Sequence, residues 1–361
     1  MSPGLDTPLV LASIGTVLID IFEPQSAASL GTSSTVSSGA ARTEPDSPPL
    51  GVALFLAFGD PALLTKNSTN RGAKFGVTAA PPGSLPAKEN LDEFDDLPRE
   101  LEEELLSYGS KMWVFNRIPG ARVPRARIGY DGAVRSYAHI IQPVPRTAFD
   151  LIHGPLFGAE YLHVPPPFSS SDLLDLLSDL PSSWQPKVIF EPAPSSCHPS
   201  EREAFEAAAQ RVHTLSPNHE ELLSIYDRTL PEEEGEIRMV VNEIVTYLLG
   251  LGVPVVAVRC GASGACIGTV EGLRWVPSFF EEQYRVRDVT GAGNAFIGGY
   301  IAGLSLTGDP YTAALYGTVS ASFVIEQLGP PSLSVSTEGE LWNGDSAQHR
   351  LAALSERVPW A

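Results

Sequence analysis

The sequence predicts an α/β fold built on a parallel sheet with helices on its faces, and three observations carry that expectation. After residue 150, short apolar runs alternate with stretches of helical period, the pattern of strand, helix and strand units. Residues 9–20 are continuously apolar and rich in branched side chains until they end on Asp20, as a buried first strand would. Residues 287–300 read as a glycine turn opening a buried helix. With 361 residues, of which 43% are hydrophobic, the chain can bury a sizeable core as one large domain with appendages.

Taken in order, the run 9–20 has no Lys or Arg before it and is too short to span a bilayer, so it is expected to be a strand and not a leader or anchor. Residues 25–49 are Ser, Thr, Ala, Gly and Pro without periodicity, the composition of a flexible insertion. Residues 52–58 form a strand or a short buried helical turn, and a Pro/Gly loop near 80–86 follows. Leu97, Leu101 and Leu105 stripe an acidic stretch over 92–104, which reads as a surface helix with a solvated face or, alternatively, a site for a protein partner. Strand-like runs then recur over residues 112–143, with an Asp131-Gly132 turn marking a hairpin. Strands are expected at 161–164, 187–192, 212–216 and 254–267, the last broken by a Gly/Ser turn. Helices are expected at 171–180, at 200–211 with Ser200 as N-cap and Glu203 in a capping box, and at 311–327.

The chemistry concentrates in the glycine turn. Gly291, Ala292 and Gly293 leave unpaired amides at a helix N-terminus, and the absence of a Cβ lets a phosphate approach them. A glycine-rich helix start without a ligand is the alternative reading of the same letters. Asn218 and Glu221, following a strand, suit either a helix cap with first-turn acids or a ligand site. Gly-x-Ser-x-Gly is not satisfied around Ser263, and a strand follows it, so a serine hydrolase is not indicated. A formal charge of −19 opposes nucleic-acid and anionic-membrane partners. Three cysteines without a Cys-x-x-Cys pair, and seven histidines without ligand spacing, suggest neither a disulfide framework nor a zinc site and suit a cytoplasmic setting.

Asp288-x-Thr290-Gly291-Ala292-Gly293, with Phe296 and Gly298-Gly299 beyond it, resembles the signature of the ribokinase-like PfkB carbohydrate and nucleoside kinases. The resemblance implies a three-layer α/β/α sandwich over residues 1–330, a small β lid near 112–143 and a C-terminal extension over 331–361. It also implies ATP and Mg2+ as cofactors and a sugar or nucleoside hydroxymethyl group as phosphoryl acceptor. Gly291, Ala292 and Gly293 would form the anion hole, and Asp288 and Thr290 would belong to the same nucleotide loop. Gly15 and Asp20 keep the family's spacing, which makes Asp20 the expected partner of substrate hydroxyls. Asn218 and Glu221 match the pair that tunes phosphate and, indirectly, magnesium binding. Ser263 and Gly264 fall in the turn along the nucleotide phosphates, and Ala321 lies on the helix lining the adenine pocket.

Two departures bear on activity. The family closes its glycine loop with an Asp that takes the substrate's proton, whereas this chain has Asn294, whose amide cannot accept it. The Gly-Gly segment that follows the family's first strand is missing. Gly-Asn together with residues 321–329 most resembles the fungal maintenance-of-killer branch. The expected function is therefore a weak PfkB-type kinase. The alternative is a nucleotide-binding pseudokinase acting in a protein assembly.

Overall fold

The computed structural model describes residues 147–360 apart from 155, 328–330 and 337–338. Before residue 147 it describes 11–13, 19–22, 73–79, 113–117, 124–131, 134–141 and residues 102, 103 and 106. The expectations for 25–49, 52–58 and 80–86, and for the 92–104 helix apart from Glu102 and Glu103, fall outside the described residues.

The strands in chain order are β1 (Leu11–Ser13), β2 (Ile19–Phe22), β3 (Ala73–Ala79), β4 (Trp113–Arg117), β5 (Arg125–Asp131), β6 (Val134–Ile141), β7 (Tyr161–Val164), β8 (Lys187–Phe190), β9 (Thr214–Leu215), β10 (Val256–Arg259), β11 (Ala265–Thr269) and β12 (Gly272–Val276). Nine of them form one sheet in the order β12-β11-β10-β9-β8-β7-β1-β3-β4. Neighbours from β4 to β10 run parallel, while β11 and β12 continue antiparallel. A separate three-stranded sheet has the order β2-β5-β6.

The helices described are α1 (Ala148–Ile152), α2 (Ser170–Asp179), α3 (Arg202–Ala209), α4 (His219–Ile225), α5 (Glu234–Gly250), α6 (Ala292–Thr307), α7 (Pro310–Val324) and α8 (Ala347–Ser355). Side chains alternate across a strand, so each strand feeds two cores. Leu162, Val188, Val256 and Val258 pack with α1 to α5 on one face. Tyr161, Ile189, Ala257 and Ile267 pack with α6, α7 and α8 on the other. The result is a three-layer α/β/α sandwich of ribokinase-like type.

Small residues set the spacing of α6 and α7. A Cβ on Gly299 would stand 2.6 Å from the Tyr316 carbonyl, and one on Gly317 would stand 2.7 Å from the Phe296 carbonyl. Real Cβ atoms do not come that close, so an alanine at either position would force the helices apart. The second glycine of the Gly298-Gly299 pair thus serves helix packing.

Several expectations need correction. Residues 9–20 do not make one strand: β1 joins the large sheet, while β2, which carries Asp20, pairs in parallel with β5 of the small sheet. The 112–143 lid is divided in the same way, because β4 pairs with β3 at the edge of the large sheet and only β5 and β6 join the small one. Asp131 pairs with Val134 and so belongs to β5. Ser200 is not an N-cap. Pro199 begins a 3-10 turn over Pro199–Glu201, the Ser200 hydroxyl meets His198 Nδ1 at 2.7 Å, and α3 starts after Glu201 without a side-chain cap.

The stretch after 330 is not an appendage. A hairpin of β13 (Leu333–Ser336) and β14 (Gly339–Trp342) leads into α8, and Trp342, Ala347, Leu354 and Val358 belong to the same core as α6 and α7.

Candidate active site

Three strands of the large sheet deliver polar residues to their C-terminal ends, where ligands of open α/β sheets collect. His163 lies on β7, Glu191 directly follows β8, and Arg259 ends β10. Each shares strand parity with a residue of the α6 and α7 core, Tyr161, Ile189 and Ala257 respectively, so all three belong to that face.

They are joined. His163 Nε2 and Glu191 Oε1 are 2.6 Å apart, with both side chains buried. Arg259 Nη1 stands 2.7 Å from Glu191 Oε2, and Arg259 Nη2 donates to the Ser216 carbonyl at 2.9 Å. Burial alone pushes the Glu191 carboxyl up, but the Arg259 charge and then the His163 hydrogen bond outweigh it and hold the group below its ordinary value.

The turn beside β10 carries Asn218 and Glu221. The Asn218 side chain accepts from the Glu221 amide at 2.7 Å, and Glu221 Oε2 accepts from the Asn218 amide at 2.8 Å. That is a reciprocal capping box on α4. Its outer neighbour is Arg259: Glu221 Oε2 is 3.9 Å from Nη2, the Arg259 amide donates to the Pro217 carbonyl at 3.1 Å, and His219 Nδ1 lies 3.3 Å from the Arg259 carbonyl. Burial pushes the Glu221 carboxyl above its ordinary value despite Arg259.

Opposite them sits the glycine loop. Arg287 and Asp288 amides donate to the Ile325 carbonyl at 2.7 and 3.3 Å, tying the loop to the end of α7. Asp288 Oδ1 accepts from the Thr290 amide at 2.9 Å, so this carboxylate shapes the loop. Gly291, with φ of 83°, caps α6 in the left-handed region that favours glycine. The first turn of α6 holds no acidic residue, which leaves the positive end of its dipole unneutralised from within. A Cβ on Gly293 would collide with Arg259 Nη1. Gly293 is therefore the point where the glycine loop and the Arg259 cluster meet.

Asn218, Glu221 and Gly293 are thus brought together, through Arg259. Ser263 is buried in a 3-10 turn after β10, and Gly264, with φ of 89°, has no room for a side chain because a Cβ would strike the Val276 carbonyl. The requirement for glycine there is explained by packing against the end of β12. Ala321 lies on α7, partly buried against the core. Asp20 stands on β2, where it pairs with Ala126 of the small sheet. Arg259, Glu191 and His163 were not singled out from the sequence. A signal existed: Glu191 and Arg259 each end an otherwise apolar strand run.

The donors present suit a polyphosphate. Thr290 Oγ1 and Arg259 Nε are buried without a hydrogen-bond partner among the described residues, and both belong to elements that meet at Gly293. Among the described residues no group of three or more His, Cys, Asp or Glu side chains is placed to hold a metal. Among the described residues no helix is long and apolar enough to cross a membrane.

Comparison with known proteins agrees with this architecture. A pfkB family carbohydrate kinase model matches residues 164–337. An uncharacterized protein of Schizosaccharomyces pombe is 28% identical over 286 residues, covering 74% of this chain and 76% of that protein. Protein MAK32 of Saccharomyces cerevisiae is 26% identical over 327 residues, covering 84% of each. Among solved structures, adenosine kinase of Anopheles gambiae, in complex with P1,P4-di(adenosine-5) tetraphosphate, superposes with a TM-score of 0.61 at 17% identity, over 89% of this chain and 97% of that one. Ribokinase of Thermotoga maritima gives 0.57 at 17% identity, over 96% and 99%. Fructokinase of Vibrio cholerae, bound to fructose, ADP and calcium, gives 0.57 at 15% identity, over 96% and 99%.

Proposed function

Residues 164–337 are a pfkB family carbohydrate kinase domain on a ribokinase-like fold, and from that premise we propose that the protein transfers the terminal phosphoryl group of ATP to a hydroxymethyl group of a sugar or nucleoside. The observation that carries the reading is the N-terminus of α6. A left-handed Gly291, the Ala292 and Gly293 backbone and an acid-free first turn form a site suited to a phosphate. In this reading the amides of Gly291 and Gly293 stabilise charge on the group in flight, joined by that of Ala292 once it leaves the Val289 carbonyl, to which it donates at 3.2 Å, and Asp20 orients the acceptor hydroxyl. Asp288 and Thr290 hold the loop, Ser263 and Gly264 lie along the nucleotide, and α7 at Ala321 borders its base. The small sheet acts as a lid that excludes water. Magnesium, when bound, would neutralise part of the phosphates' charge, and Glu221 would act on it indirectly.

The acceptor oxygen bonds to phosphorus as the bridging P–O bond to ADP breaks, and the hydroxyl proton has to leave. Asn294 cannot take it, so a water removes it late and turnover is slow. A second reading, nucleotide binding without turnover in the service of a protein assembly, is favoured by the same Asn294.

Melting temperatures measured with MgATP and a panel of sugars and nucleosides test the proposal. A ligand at a hundredfold excess over its Kd adds about 2.7 kcal/mol of stability, so MgATP and at least one acceptor should each raise the melting point. No shift with any nucleotide would overturn it. A shift with MgATP alone, without ADP release, would favour the second reading.

A further inference from the structure

The glycine loop is expected to leave open space above Gly293, yet that space is partly taken by a guanidinium, since Arg259 Nη1 stands where a Cβ on Gly293 would go. This puts a cation against the positive end of a helix whose first turn contains no acid. Two like charges held together call for an anion between or beside them. Glu191 supplies part of it from behind, through Oε2 at 2.7 Å from Nη1. On the other edge, Nη2 is spent on the Ser216 carbonyl, and Nε is buried without a partner among the described residues. Thr290 Oγ1, at the foot of α6, is likewise buried and unpartnered. The Arg259 side chain keeps 16% of its surface exposed while Glu191 keeps 3%, so the cluster is reached from the arginine side.

We infer that Arg259 is a phosphate-contacting residue of the nucleotide site, held by Glu191 so that its guanidinium faces the terminal phosphates bound at the N-terminus of α6. The inference rests on the phosphotransferase reading. Arginine suits the position because its planar, permanently charged fork can bind the carboxylate with one edge and phosphate oxygens with another. A lysine offers a single ammonium and cannot hold both. Asn294 fits beside such a group, since an amide adds no negative charge for the guanidinium to capture.

Calorimetric titration of AMP, MgADP and MgATP into wild type, Arg259→Lys and the double variant Glu191→Gln/Arg259→Gln tests this. The double variant removes the buried carboxylate together with its partner, so it does not leave an uncompensated charge. A contact to the terminal phosphates predicts a loss that grows along the series. Little change is expected for AMP, and a drop of about tenfold or more for MgATP, the size of a lost charged hydrogen bond. Arg259→Lys should fall between the two proteins. Equal weakening of all three nucleotides would mean a structural role and overturn the inference, as would variants that bind MgATP like wild type. Failure of wild type to bind any of the three would overturn the phosphotransferase reading and this inference together.

Discussion

Arg259 and Arg350 are both largely buried and both paired with carboxylates, but their surroundings differ in kind. Arg350 spends its donors inside the protein. Nε bonds Asp345 at 2.8 Å, Nη1 bonds Ser322 Oγ at 2.9 Å, Nη2 bonds both Glu326 oxygens at 3.0 and 3.1 Å, and the guanidinium carbon lies 3.8 Å from the Phe323 ring centroid. It fastens α8 to α7. Arg259 instead stands at the C-terminal end of the parallel strands, with Nε unpaired among the described residues, against a glycine at a helix N-terminus. A satisfied buried arginine is a structural clamp; one with a buried donor left over is a candidate for contact with a ligand.

If the contrast holds, removing Arg350 should produce the largest loss of stability. Arg350→Ala leaves Glu326 without its buried partner and strips the aromatic contact, at a cost of about 3–5 kcal/mol, read as a lower midpoint in urea unfolding. An unchanged midpoint would end the clamp interpretation.

Glu191→Gln comes next, with a loss of about 3 kcal/mol at neutral pH because Arg259 keeps its charge without the buried carboxylate. Its pH dependence has a definite sign. The folded Glu191 carboxyl sits below its ordinary value of 4.5, so its contribution is present above that pH and is lost as pH falls through the folded value. Unfolding measured from pH 7 down into the acid range should therefore show the wild-type advantage shrinking below 4.5. A gap that widens there would contradict the pairing.

Gly293→Ala sharpens the comparison at the shared contact. The added Cβ collides with Arg259 Nη1, so the change should cost about 1–3 kcal/mol in wild type and markedly less in an Arg259→Gln background. Additive effects in a double-mutant cycle would show that the two residues do not touch. The smallest effect is expected for Asn218→Ala, about 1 kcal/mol from loss of the α4 cap, measurable by the same unfolding titration.

The alternating half of the molecule was legible because its signals are local. Strand β7 lies where an apolar run of branched and aromatic residues predicted it, and the glycine turn does open α6. The Asn218 and Glu221 letters allowed a helix cap as one of two readings, and the structure contains that cap, in the form of a capping box on α4. What escaped depends on topology. Periodicity cannot tell that Leu11–Ser13 and Ile19–Phe22 join different sheets, since both segments are apolar. Nor can it show that Trp113–Arg117 pairs with a strand far before it instead of with the following hairpin. The Glu191–Arg259 pair is invisible in sequence for the same reason, because only the adjacency of β8, β9 and β10 brings the two strand ends together. Ser200 has the letters of a cap but does not act as one, because the proline one residue earlier starts a 3-10 turn.

In the proposed reaction, phosphoryl transfer is slow because an amide stands where a base would act. General-base catalysis contributes about 10²- to 10⁴-fold, while positioning and electrostatics carry most of phosphoryl transfer. The direct measurement is ADP release at saturating MgATP with the best acceptor from the binding panel, for wild type and Asn294→Asp. The account predicts slow wild-type turnover and an increase of at least about tenfold in the variant, a floor set below the general-base range. Fast turnover by wild type, with Asn294→Asp slower, would place the base elsewhere and contradict it.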